Sequence, residues 1–115
     1  MQLRNKIIVF LLFSNVALLS NAQLQKSNDD YEKALRSFHE GEYNTAHIHI
    51  KNAIKQHPSH LSSKLLLGKV LLKNKEANAA ILSLTEALQL GVDKNLAYVS
   101  LAEAYMLQRN YAKVI

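Results

Sequence analysis

Gly41-Glu42-Tyr43-Asn44-Thr45-Ala46-His47-Ile48-His49-Ile50-Lys51-Asn52-Ala53-Ile54-Lys55-Gln56-His57-Pro58 is the stretch whose reading decides the fold. Gly41 interrupts one apolar-periodic segment and Tyr43 opens another. Small or apolar side chains then recur at Ala46, Ile50 and Ala53, spacings of three and four that put them on one helical face. Pro58 closes the segment, because proline disfavours the helical region for the residue before it. One constant shift along the chain lays Ala46 on Ala80, Ile50 on Leu84 and Ala53 on Ala87. The same shift aligns Ala34 with Gly68 and Ala102, Leu67 with Leu101, Ser37 with Leu71 and Tyr105, and Tyr43 with Ala77 and Tyr111. Similarity at a fixed period, here about 34 residues, marks stacked supersecondary units, each unable to bury its apolar face alone.

Outward from this unit the spacing predicts paired helices. Ser27-Asn28-Asp29-Asp30 reads as an N-cap with an acid three positions on, ahead of a helix that ends near His39. A second helix runs over 43–56. Ser59 caps a third, over about 60–73, and Asn74-Lys75 turns the chain. A fourth runs from 76 or 77 to 90, where Gly91 suits a left-handed C-terminal position. Asp93 or Asn95 caps a fifth helix to about Gln108, Arg109-Asn110 turns, and Tyr111 opens a sixth. The expected fold is therefore all-α, with antiparallel helix hairpins stacked on one another. Ala34, Ala46, Gly68 and Ala80 would let the helices of a hairpin approach closely, and Ile50, Leu71, Leu84 and Tyr105 would fill the space between hairpins.

The chain has 115 residues, enough for one domain, with 49% hydrophobic and 20% charged residues. That composition is globular, not disordered. Cysteine is absent, which excludes disulfides, thiolate metal sites, a cysteine nucleophile and a diacylglyceryl-cysteine anchor. Residues 1–6 are short and basic, 7–19 almost wholly apolar, and Ser20-Asn21-Ala22 places small residues at −3 and −1 of a cut before Gln23. This is the pattern of an export signal, with an uncleaved signal anchor as the alternative. An apolar run this short spans about 20 Å as a helix, less than the ~30 Å hydrocarbon core. Loss of 1–22 removes Arg4 and Lys6 and no acid, so the formal charge falls from +5 to +3. So mild a charge on an exported chain gives no reason to expect nucleic acid as a partner, and a membrane would be met only through an uncleaved signal.

The repeating pattern resembles the tetratricopeptide repeat family. A first unit, about 27–60, carries Ala34, Gly41, Tyr43, Ala46, Ile50, Ala53 and Pro58 at the family's signature spacing. A second, about 61–94, carries Leu67-Gly68, Leu71, Ala80, Leu84 and Ala87, with Val92 where proline is expected. A third, about 95–115 and incomplete, carries Tyr98, Leu101-Ala102, Tyr105, Tyr111 and Val114. The resemblance implies a right-handed solenoid of about two and a half repeats over 23–115, read as a piece of a longer array. Tyr31-Glu32-Lys33-Ala34, Gly41-Glu42-Tyr43, the Ala46–Pro58 run, Leu65-Leu66-Leu67-Gly68-Lys69 and Ala87-Leu88-Gln89-Leu90-Gly91-Val92-Asp93 are also similar to the N-terminal part of the large tetratricopeptide lipoproteins of PEP-CTERM protein sorting and exopolysaccharide production in Gram-negative bacteria. Those proteins are often anchored through a cysteine at the signal cleavage site, which this chain lacks, so a soluble periplasmic form is expected.

The resemblance implies a function of binding a peptide or protein segment on the concave face formed by the first helix of each hairpin. On that analogy the groove is lined by Tyr31, Leu35, Phe38 and His39, then Leu65, Lys69, Leu72 and Lys73, then Val99, Glu103 and Met106. The second helices would turn Asn44, Lys51, Lys55, Ser83 and Glu86 to solvent. Tyr31 and Leu35 fall where the family's lysine and asparagine clamp for a chain-terminal carboxylate would begin, so recognition of a chaperone's C-terminal tail is not expected. No nucleophile has a supporting base, and neither a phosphate loop nor a paired-carboxylate signature occurs, so no enzymatic role and no cofactor is expected. His47 and His49, two apart on a helix, point away from one another. His57 and His60 flank Pro58 and define the alternative function, a periplasmic metal or small-ligand binder, although zinc would need further ligands.

Overall fold

The computed structural model describes the backbone of residues 2–114 and the side chains of 21–110. Its elements are α1 (Gln2–His39), α2 (Tyr43–Gln56), α3 (Leu61–Lys73), α4 (Ala77–Leu90) and α5 (Lys94–Val114), with no strand among the described residues. The export-signal reading rests on side chains of residues 1–20 and lies outside the described residues. Among the described residues no helix is long and apolar enough to cross a membrane.

Turn chemistry sets most boundaries. After α1, the Glu42 amide donates to the Ser37 carbonyl (2.9 Å) and the Gly41 amide to the Phe38 carbonyl (3.1 Å), with Gly41 left-handed at φ +79°. This is a Schellman motif, which satisfies carbonyls a helix end would leave unpaired. The same pair recurs one period later, with Glu76 donating to Leu71 (2.9 Å) and Lys75 to Leu72 (3.1 Å). Lys75 occupies the left-handed position at φ +65°. Gly91 (φ +103°) ends α4 likewise, with Val92 donating to Ala87 and Gly91 to Leu88. Asp93 caps α5, its Oδ1 accepting the Asn95 amide at 2.8 Å. A side chain with a Cβ is strained in the left-handed region. Lys75→Gly is therefore expected to raise stability by about 0.5–1 kcal/mol, the relief exceeding glycine's entropic disadvantage. Urea titration would read this as a higher midpoint at unchanged slope.

Three expected helix boundaries are corrected. Ser27 does not cap a helix. α1 is continuous through it, and its buried hydroxyl donates to the Ala53 carbonyl at 2.9 Å, pinning α1 to the last turn of α2. Ser59 does not cap α3 either, because His60 holds the N-cap position and no side chain bonds there. The Arg109-Asn110 turn does not form, since α5 runs through both residues. Arg109 falls one period after Lys75, in the column of the left-handed turns. At Lys75 the strain is offset by α4, which folds back and buries Ala77, Ala80 and Leu84. Among the described residues no helix folds back onto α5, and no glycine or proline interrupts it there, so the hydrogen-bond ladder continues.

Packing joins helices that follow one another. One cluster unites Ala34 of α1, Ala46, Ile50 and Ala53 of α2, and Leu66 and Val70 of α3. A second joins Leu65, Leu84 and Ala97 of α3, α4 and α5, and a third Leu71, Ala80 and Ala104 of the same helices. Ile50 and Leu84 are fully buried, each contributing roughly 1.5–3 kcal/mol of transfer free energy. Gly68 faces Leu84 so closely that a Cβ there would sit 2.6 Å from its Cγ and Cδ2. The small residues are thus where the helices approach. Tyr105, expected between hairpins, is instead 54% exposed, whereas its counterparts Leu71 and Ser37 are buried. Ala102, counterpart of buried Ala34 and Gly68, is also exposed.

Polar groups lock the same seams. Ser83, expected on a solvated face, is buried and donates to the Lys64 carbonyl (3.0 Å), while Lys64 Nζ meets Glu86 Oε2 at 2.9 Å. Both therefore tie α4 to α3. Gln108 Nε2 donates to Asn78 Oδ1 at 2.7 Å, linking α5 to α4.

Candidate interaction groove

α1, α3 and α5 contact one another in sequence, α3 lying between the other two. Two clefts separate them, each of about 270 Å³. The cleft between α1 and α3 is lined by Tyr31, Leu35, Ser62, Leu65, Leu66 and Lys69, with Leu96 at the start of α5. The cleft between α3 and α5 is lined by Leu72, Lys73, Lys75, Glu103, Met106, Leu107 and Asn110. Tyr31, Leu35, Leu65 and Lys69 thus meet in one cleft, and Leu72, Lys73, Glu103 and Met106 in its neighbour. Ser62, Leu66, Lys69 and Lys73 advance along α3 by steps of four, three and four, so one stripe of that helix borders both clefts.

Phe38 and Val99 line neither cleft. The Phe38 ring lies 5.6 Å from that of Tyr43 and 5.9 Å from that of exposed His39, packed against the first core cluster. Its aromatic surface is used to brace the turn between α1 and α2. Val99 is 65% exposed, and Leu96, nearly one turn earlier, reaches the α1–α3 cleft in its place. Ser62, Leu66, Lys75, Leu96, Leu107 and Asn110 are additions to the expected lining. Leu96 could have been found by extending the helical stripe back one turn from Val99. Lys75 could not, because its position depends on the left-handed turn.

A larger depression than either cleft, about 560 Å³, lies elsewhere, between α1 and α2. Gln23, Lys26, Asp30, Asn52, Lys55 and Gln56 line it, and none of them offers an apolar anchor. Asp30 is buried at its wall, accepts from Gln56 Nε2 at 3.3 Å and stands 3.9 Å from His49 Nδ1. This cluster joins α1 to α2, and we assign it to structure.

The two histidines around Pro58 are placed differently from a metal pair. Their rings stack at 5.3 Å with 22° between planes. Imidazole lone pairs lie in the ring plane, so two nearly parallel rings do not aim nitrogens at one point. His60 Nδ1 is engaged with Ser63 Oγ at 2.6 Å, and its ring meets Tyr31 edge-on at 5.3 Å. Among the described residues no group of three or more side chains is arranged to hold a metal ion.

Burial lowers the His60 pKa below its ordinary value, and the neighbouring His57 lowers it further. The folded protein therefore resists a proton that the unfolded chain accepts near pH 6.5. Stability contributed by neutral His60 is complete above that pH and is lost as pH falls towards the depressed folded value. Urea midpoints should thus decline from pH 7.5 to 5.5, and His60→Gln should flatten the decline.

The chain matches no protein-family model and no curated protein.

Proposed function

We propose that the protein is an exported interaction module of the tetratricopeptide type, which binds a protein segment across the α1, α3 and α5 face. The observation that carries this reading is the repetition of one hairpin geometry at a constant interval along the chain. Ala46 and Ala80, Ile50 and Leu84, and Ala53 and Ala87 are all fully buried in equivalent places, and Gly41 and Lys75 make equivalent turns. Repetition by a fixed step places first helices beside first helices, and a face of that kind suits an elongated partner. Its clefts combine apolar walls with a few cations, whereas the depression on the α1–α2 side has only polar lining. Export is supported by the basic, apolar and small-residue pattern of residues 1–22. The similarity to the PEP-CTERM-associated repeat proteins directs the search for a partner to periplasmic machinery of protein sorting and exopolysaccharide production.

Site-specific photo-crosslinking in a Gram-negative periplasm tests this reading. Crosslinkers at Ser62 and Met106, on the two clefts, should trap the same partner. Crosslinkers at Lys51 and Asn44 of α2 should not. Intact mass of the recovered protein should show loss of residues 1–22. Equal trapping from both sets would remove the groove assignment, and a retained Met1 would replace the cleaved signal with an anchor.

A further inference from the structure

Given the groove proposed above, we infer that its partner is an acidic, leucine-rich protein segment, read by Lys69, Lys73 and Lys75. Lys69 stands in the α1–α3 cleft, and Lys73 and Lys75 stand in the α3–α5 cleft. Lys69 and Lys73 are one helical turn apart on α3, so their side chains rise from one face about 6 Å apart. Lys75 extends the row, because its left-handed backbone turns it out of the helix end into the second cleft. Among the described residues the only carboxylate lining either cleft is Glu103. Among the described residues the lysine–carboxylate ion pair is Lys64 with Glu86, which involves none of these three lysines. Three cations therefore border the two neighbouring clefts, one in the first and two in the second.

The apolar walls specify the rest of the ligand. Tyr31, Leu35, Leu65 and Leu66 present hydrocarbon beside Lys69, and Leu72, Met106 and Leu107 do so beside Lys73 and Lys75. A ligand that only neutralised charge would leave both clefts wet. A ligand that was only apolar would leave the lysines solvated and would gain nothing from them. Leucine-sized side chains in the clefts and carboxylates over the α3 ridge satisfy both. An extended chain repeats side chains on one face about every 6.6 Å and a helix about every 6 Å, and either step matches the Lys69–Lys73 spacing. Exposed ion pairs are individually weak and screened by salt. The acidic preference should accordingly be moderate and salt-sensitive, with the apolar contacts supplying most of the affinity.

The test uses the whole chain and fluorescence anisotropy with labelled twelve-residue peptides at 20 mM salt. One carries three leucines and four glutamates, a second has glutamine at the glutamate positions, and a third has lysine there. The glutamate peptide is expected to bind about fivefold more tightly than the glutamine peptide, as three weak pairs would give. The lysine peptide is expected to bind most weakly, and 0.5 M salt should erase most of the difference. Lys69→Gln with Lys73→Gln and Lys75→Gln should remove the preference, while Lys51→Gln with Lys55→Gln should keep it. Equal binding of the glutamate and glutamine peptides would overturn the acidic partner and leave the groove standing. Binding of no peptide at 1 mM would overturn both. A preference that survives the triple substitution would place the contact elsewhere on this basic protein. Equally tight binding of a twelve-nucleotide oligothymidine would show an unselective polyanion surface and overturn the peptide assignment.

Discussion

Leu84→Ala is expected to lower the unfolding free energy by about 2–5 kcal/mol, the range for emptying a fully buried leucine site. Leu84 has no exposed surface and stands at the centre of the cluster that joins α3, α4 and α5. For a domain of this size such a loss lowers the melting temperature by roughly 10–25 °C. The informative experiment pairs it with Gly68→Ala. In the native background the new Cβ would meet Leu84 Cγ and Cδ2 at 2.6 Å. Overpacking of that kind costs about 1–3 kcal/mol and outweighs the gain of roughly 0.5–1 kcal/mol from replacing a helical glycine. With Leu84→Ala already in place the obstacle is gone, so Gly68→Ala should then stabilise by about 0.5–1 kcal/mol. A change of sign across the double-mutant cycle, measured by urea unfolding, would establish that Gly68 is glycine because of Leu84. Additive costs would show that the close approach does not limit the packing.

Ala34→Leu and Ala102→Leu should differ sharply although the two residues share a column of the repeating pattern. Ala34 has no exposed surface and packs with Ala46, Ile50 and Ala53 where α1 crosses α2. A leucine there must displace α2, at a cost of about 1–3 kcal/mol. Ala102 is exposed on α5, on the side where Tyr98 and Tyr105 are also more than half exposed. A leucine there should change stability by no more than about 0.5 kcal/mol. Thermal unfolding of the two variants at low protein concentration measures the contrast. A comparable loss at both positions would mean that the Ala102 face is covered in solution.

The helical pairs were legible in the sequence to the extent that backbone rules act locally. Gly41, Pro58 and Gly91 end helices because of what those residues do to φ and ψ, and both limits of α2 and the end of α4 follow from them. The burial of Ala46, Ile50, Ala53, Ala80, Leu84 and Ala87 was equally readable, since spacings of three and four fix a helical face before anything packs on it. Most of the groove stripe was readable on the same ground.

What a residue in a given column does was decided by its surroundings in space. Ser27 carries the local signature of a cap, yet α2 offers the Ala53 carbonyl, and burial of the hydroxyl against it prevails. Ser83 and Glu86 look like a solvated face, yet Lys64 of α3 lies opposite and accepts from one and pairs with the other. Lys75 and Arg109 are matched in sequence and differ in conformation. The left-handed backbone costs each about the same, and among the described residues a returning helix offsets it at Lys75 and not at Arg109. Propensity, caps and periodicity act over a few residues and are therefore written in the chain. Burial, polar pairing and tolerance of strain depend on which helix arrives from elsewhere, and the packed structure alone determines that.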